Sequence, residues 1–186
     1  MKVLGISSSP RPNSNSKYAL EKAFEFLNDN GVETEIFDIH KMDIKSCQGC
    51  DYCKRNDEAK CVIPDDMQEI YEELKTSDAI VLTSPIYMSQ LTAQAKTFMD
   101  RLYCYFMSDW VDRYGSKKVL MLVSQGHPGE DLYKENMDCY KTVFEMILNF
   151  EFVDSAVLTE NNVPGAIKEK PEQIEQAINL CKKLIE

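Results

Sequence analysis

The chain has 186 residues, 44% apolar and 28% charged, with a formal net charge of −10. That length suits one domain with a sheet-centred core, no apolar run is long enough to span a membrane, and the acidic balance excludes a nucleic-acid-binding surface, which needs a basic footprint. The N-terminal apolar stretch is interrupted by Ser7–Arg11, too early for a signal peptide, so a cytoplasmic location is the expectation.

Lys2–Ser8 reads as a first strand. It runs into SSSPRPNSNS, residues 7–16, ahead of a helix over Ser16–Asn30 with Leu20, Ala23, Phe24 and Leu27 on one face and Gly31 as its stop. This turn packs hydroxyls, amides and Arg11 between strand and helix, where a parallel α/β fold holds a phosphate on helix N-terminal N–H groups. The same residues would equally cap an ordinary connector.

Val32–Ile39, with Glu33 and Glu35, suits an edge strand. Residues 40–64 show no periodicity and hold four of the seven cysteines. Asp65 or Asp66 then caps a helix burying Met67, Ile70, Tyr71 and Leu74. Asp78–Ser84 reads as a strand covered on both faces. A helix from about Thr92 turns Ala95, Phe98, Met99 and Leu102 inward. Lys117–Ser124 is another buried strand, Glu130–Asn149 is helical, and Phe152–Thr159 is the fifth strand. Pro171–Ile185 is a last helix showing Ile174, Ala177, Ile178 and Cys181.

This alternation predicts a doubly wound α/β domain over residues 1–186, with a five-stranded parallel sheet in the order 2-1-3-4-5 and helices on both faces. Ligands of such a sheet sit beyond the carboxyl ends of the strands, at the switch between strands one and three. Three loops meet there. The first is the serine-rich turn. The second, Ser84–Gln90, offers Pro85, Ile86, Tyr87 and Met88 as an apolar shelf for a flat ring, although packing against the next helix explains them too. The third, Ser124-Gln125-Gly126-His127-Pro128-Gly129, has two glycines that let backbone approach a ligand, or simply form a tight turn. Together they match a mononucleotide with a planar ring. The absence of Gly-x-x-x-x-Gly-Lys argues against ATP or GTP, and no Gly-x-Gly-x-x-Gly marks a resident nicotinamide.

Ser9-Pro10-Arg11 with Asn13, Asn15 and Ser16, then Ser84-Pro85-Ile86-Tyr87, then Lys96, Asp100 and Arg101, resemble the flavodoxin-like NAD(P)H-dependent FMN reductase superfamily. The likeness runs from Met1 to about Gly129. Ser8 stands where the family usually has Gly, and Pro12 and Ser14 replace the common Lys and Gly. The resemblance implies that Ser9, Arg11, Asn15 and Ser16 bind the FMN phosphate, with Asn13 in the same cofactor-binding turn. It also implies that Pro85, Ile86, Tyr87 and Met88 line the isoalloxazine and ribityl chain, and that Ser124, Gln125 and Gly126 close the far side. Lys96 and Asp100 read as an ordinary i,i+4 ion pair.

Cys47, Cys50, Cys53 and Cys61 form C-x2-C-x2-C-x7-C. Two consecutive x2 spacings wrap three thiolates around one centre, as in ferredoxin-type iron–sulfur binding. Zinc more often takes separate C-x2-C pairs, and free or reversibly oxidised thiols are a further reading. The compact motif followed by Asp65-Asp66-Met67 resembles the iron–sulfur flavoproteins, which implies one 4Fe–4S cluster beside FMN. Cys104, Cys139 and Cys181 fall on predicted helices and read as small buried hydrophobes.

The resulting expectation is an FMN-dependent oxidoreductase passing electrons between FMN and the cluster, with no catalytic acid, base or nucleophile. NAD(P)H as a transient substrate, or a ferredoxin, would be the donor. The alternatives are a cluster-free NAD(P)H-dependent FMN or quinone reductase, and a redox sensor acting through a protein partner. The resemblance implies a homodimer or homotetramer. Tyr103, Tyr105, Phe106, Met107 and Trp110 are expected at a subunit interface or over the flavin, with core completion as the other reading.

Overall fold

The computed structural model describes residues 1–56 and 58–186. Parallel strands β1 (Lys2–Ser7), β2 (Glu33–Asp38), β3 (Ala79–Tyr87), β5 (Lys118–Ser124) and β6 (Glu151–Leu158) lie in the order β2-β1-β3-β5-β6. Counting only these parallel strands, this is the expected 2-1-3-4-5 flavodoxin-like arrangement. The two-residue strand β4 (Gln90–Leu91) pairs antiparallel with the end of β3.

Helix α1 (Asn15–Asp29) and α6 (Pro171–Lys182) cover one face. The other face is covered by α2 (Met67–Thr76), α3 (Ala93–Arg101), α4 (Trp110–Tyr114) and α5 (Lys134–Thr142), the last running into a π-helical turn over Val143–Ile147. Each helix buries the face its periodicity requires: Leu20, Ala23, Phe24 and Leu27 in α1; Met67, Ile70, Tyr71 and Leu74 in α2; Ala95, Phe98 and Met99 in α3, with Leu102 just beyond. Gly5 lets α1 close on β1, since a Cβ there would lie 2.9 Å from Leu20 and Phe24.

Three expectations are corrected. The segment Ser84–Gln90 is not an open loop: Ile86 and Tyr87 pair with Leu91 and Gln90, leaving Met88 and Ser89 at a hairpin tip. Tyr105 and Trp110 are core residues, 4% and 1% exposed, with rings stacked at 4.1 Å, so they cannot form a subunit surface. Of that aromatic segment, Tyr103 and Met107 are exposed. Cys139 is exposed on α5, whereas Cys104 and Cys181 are buried as expected. Among the described residues no helix is long and apolar enough to cross a membrane.

Candidate functional site

The turn after β1 is held from below by hydroxyls. Ser8 Oγ donates to Thr83 O at 3.0 Å, and Thr92 Oγ1 lies 2.9 Å from Ser8 Oγ, tying the turn to the start of α3. Ser9 is buried, and its Oγ accepts from Arg11 N at 3.4 Å. Ser14 is the N-cap of α1, its Oγ accepting from Lys17 N and lying 3.1 Å from Ser16 Oγ. The N–H groups of Asn15 and Ser16 lie in the first turn, where the helix itself provides no acceptor. Arg11 is exposed; its Nη1 donates to Asn162 O at 2.9 Å and its guanidinium lies 5.7 Å from the Tyr87 ring centre. Asn13 is exposed at the crest of the turn.

Asn15 does something its sequence position does not announce. Its Nδ2 donates to Asn161 O at 3.1 Å and Val163 O at 2.9 Å, and its Oδ1 accepts from Ile167 N at 3.1 Å. Both amide donors are committed to the loop after β6 and hold that loop against the first turn.

The hairpin rises beside this turn. Pro85, Ile86 and Tyr87 are half-buried, Met88 is 96% exposed, and Asn136 Nδ2 and Tyr140 Oη of α5 hold Ser89 O and Gln90 Oε1. A cleft of about 240 Å³ lies between Ile86, the ends of β5 and β6, and the start of α5, with Gln125, Tyr133 and Met137 among its walls.

In the third loop, Ser124 and Gln125 are buried, and Gln125 Nε2 donates to His127 O and Gly129 O. Gly126 faces Asn162: a Cβ there would fall 1.7 Å from Asn162 Oδ1. His127 is exposed, its Nδ1 accepting from Gly129 N.

The predicted residues of all three loops therefore gather at the β1/β3 switch point. Asn161 and Asn162 join them from a fourth loop that sequence reasoning missed. Residues 7–16, 84–91 and 124–129 contain no Asp or Glu in a chain that carries 31 of them. Arg11, two open N–H groups and a neighbouring apolar hairpin form an anion-accepting corner beside a surface suited to a flat ring.

The cysteine loop sits over the other end of α3. Its base is closed by a fully buried pair: Arg101 Nη1 and Nη2 donate to Asp65 Oδ2 and Oδ1 at 2.5 and 3.0 Å, and Arg101 Nη1 also donates to Lys45 O. Burial by itself would push the Asp65 carboxyl up, but its hydrogen bonds to Arg101 and to the Lys45 and Met67 N–H groups hold it below the usual carboxylate range. Further out, Lys54 Nζ donates to the carbonyls of Tyr103 and Phe106 and lies over the Tyr103 ring at 4.5 Å.

Cys47 and Cys50 are exposed, and Cys53 and Cys61 are half-buried. Burial pushes the Cys53 thiol up, Lys54 opposes this, and Cys61 and Cys47 add to the rise. The donor set is four soft thiols on one loop, which suits an iron–sulfur cluster by chemistry. Among the described residues, however, no three His, Cys, Asp or Glu side chains are gathered so that they could hold a metal ion. Lys96 and Asp100 form the expected exposed ion pair on α3.

The family described as NADPH-dependent FMN reductase matches residues 1–148. An iron–sulfur flavoprotein of Methanocaldococcus jannaschii is 42% identical over 101 residues, 54% of this chain and 51% of its own length. One from Methanosarcina thermophila is 39% identical over 101 residues, 54% of this chain and 52% of its own. The chain thus spans about half the length of the curated relatives it matches. Among solved structures, an NAD(P)H:quinone oxidoreductase from Methanothermobacter marburgensis superposes with a TM-score of 0.73 at 23% identity, covering 99% of this chain and 96% of that one. An FMN-dependent NADH-azoreductase from Bacillus anthracis gives 0.69 at 14% identity, with 100% of each chain covered; at such identities the likeness is one of fold. With its flavodoxin-like sheet and a match over residues 1–148, the chain belongs to the NADPH-dependent FMN reductase family.

Proposed function

We propose that the chain binds FMN at the β1/β3 switch point and works as an FMN-dependent oxidoreductase. The observation that carries this reading is the trio of loops without Asp or Glu, with Arg11 and the first-turn N–H groups of α1 beside the apolar hairpin. When bound, FMN supplies hydride acceptance from a reduced nicotinamide and release of electrons one or two at a time. NAD(P)H or a ferredoxin is the donor in this reading.

Ser9, Arg11, Asn13 and the N–H groups of Asn15 and Ser16 hold the phosphate. The Asn15 amide contributes by fixing the fourth loop rather than by touching the phosphate, because both its N–H donors are already used. Pro85, Ile86, Tyr87 and Met88 flank the ring on one side. Ser124, Gln125 and Gly126 flank it on the other; the Gln125 Nε2 donors are spent within their own loop. The hairpin and the Gly126 strip exclude water from the faces of the ring.

The finer proposal is that Cys47, Cys50, Cys53 and Cys61 hold a 4Fe–4S cluster, which would make the protein an electron-transfer flavoprotein. A cluster-free reductase is the second reading, favoured by the ungathered thiols among the described residues. Anaerobic purification separates the two: about four iron atoms with matching sulfide per chain support the cluster, and a yellow iron-free protein supports the reductase. A protein that binds no added FMN overturns both. Sedimentation is expected to give a homodimer or homotetramer.

A further inference from the structure

The cleft of about 240 Å³ beside Ile86 adjoins the candidate flavin site, with Ile86 and Gln125 belonging to both. Its other walls come from β5, β6 and the entry to α5. That entry is a short 3-10 turn, Glu130–Tyr133, and α5 itself starts only at Lys134. The sheet is therefore incompletely covered here. Ile86, Tyr133 and Val157 are each half-buried, so the apolar floor of the cleft is reachable from solvent.

The rim has the opposite character to the flavin loops. Those loops carry no carboxylate, whereas Glu130, Asp131 and Asp138 all stand exposed around the cleft. Lys134 is the single cation among the described walls, and it pairs with Asp138 at 2.9 Å. Glu130 and Asp131 are left in surplus, and the net charge of −10 over the whole chain adds a field of the same sign.

We propose that this cleft holds the electron acceptor of the flavin reading above, and that the acceptor is a small planar heteroaromatic cation. Its ring rests on Ile86, Tyr133 and Val157, and its charge faces Glu130 and Asp131. The volume lies just under the usual small-molecule range, which sets a flat system of two or three rings. The acceptor receives a hydride, two electrons with one proton, from FMN reduced by the nicotinamide donor, and the flavin returns to its oxidised form. That transfer cancels the positive charge of the ring. The neutral product then loses its attraction to the carboxylates and leaves.

The test first titrates FMN and then uses the FMN-saturated protein. N-methylquinolinium, quinoline and 2-naphthoate serve as positive, neutral and negative bicyclic probes at neutral pH. Calorimetry reads the affinity, and the Val157 methyl resonances report the place. The cation is expected to bind once per chain, to shift those resonances, and to bind about tenfold tighter than naphthoate at low salt, with quinoline between them. The gap should close near about 1 M salt, where exposed charges are screened. Glu130→Gln with Asp131→Asn alters only the exposed rim and should bring the three probes within about twofold of one another. In steady-state turnover the same variant should raise KM for N-methylphenazinium and lower it for 1,4-naphthoquinone-2-sulfonate. Equal affinities for cation and anion at low salt, Val157 resonances that stay in place, or a charge preference that survives in the variant would each overturn the proposal. A chain that takes up the cation but no FMN would overturn the flavin reading and with it the acceptor role. One that takes up FMN but not the cation would overturn the cleft alone.

Discussion

The buried Arg101–Asp65 pair offers the sharpest test of how the cysteine loop is attached. Asp65→Ala leaves the Arg101 guanidinium in a site where both side chains are fully shielded from water. It also removes the acceptor for the Lys45 and Met67 N–H groups. Breaking a buried ion pair in this way costs about 3–5 kcal/mol. For a chain of this size that corresponds to a Tm loss of roughly 6–20 °C. Removing both charges, as in Asp65→Ala with Arg101→Met, should recover part of the loss, because no charge is then stranded.

The pH dependence carries a definite sign. The folded-state pKa of Asp65 is depressed, so its contribution is present above the unfolded value of about 4 and fades as pH falls through the folded value. Urea unfolding at neutral pH and in mild acid reads both effects, and Asp65→Asn should approach wild type only at the acid end. Limited trypsin digestion reads the loop itself, because Lys54, Arg55 and Lys60 become cleavable once its base is released. A coupling energy under about 0.5 kcal/mol in the double-mutant cycle, with unchanged digestion, would refute the reasoning.

Other perturbations test the flavin corner. Asn15→Ala strands Asn161 O and the Ile167 N–H, while Val163 O keeps its bond from Ala166 N, and should cost about 2–4 kcal/mol by urea denaturation; less than about 1 kcal/mol would show that the fourth loop does not depend on it. Gly126→Ala drives a methyl into Asn162 and should weaken FMN binding at least about tenfold in a fluorescence titration, with Asn162→Ala restoring it; a single variant of normal affinity would count against the close approach. Met88 and Ser89 both sit at positive φ, 49° and 67°, in a two-residue hairpin turn that favours Asn-Gly. Replacing them with Asn-Gly should raise stability by about 1 kcal/mol in thermal unfolding, and lower stability would contradict the assignment of strain to this turn.

Much of the fold was legible because burial on both faces leaves unbroken apolar runs such as Ile80–Leu82 and Val119–Val123, and the edge strand carries Glu33 and Glu35. The hairpin was not legible, since Met88-Ser89 lacks the residues that announce such a turn and is held instead by Asn136 and Tyr140 from far along the chain. The fourth loop hid for a similar reason. Glu160–Gly165 has an ordinary turn composition, and its meaning lies in bonds to Arg11 and Asn15 across about 150 residues. Tyr105 and Trp110 misled because an aromatic cluster past a helix end looks exposed until α2 and α4 are seen to enclose it. Cys139 misled because α5 is amphipathic only along the line of Met137, Tyr140 and Phe144.

Asp43 N donates to Asp66 Oδ2 at 2.7 Å, and Asp66 N donates back to Asp43 O at 3.1 Å. The cysteine-bearing segment therefore leaves the sheet and returns to it at nearly one point. A segment closed in this way can change length at a cost of only about 0.6 kcal/mol per doubling, while the strand registers stay as they are. The cysteines thus ride on an interchangeable cassette. Its length could change without shifting the strands that hold the flavin corner, provided that Asp65 keeps its pairing with Arg101 and Ala59 its place in the core.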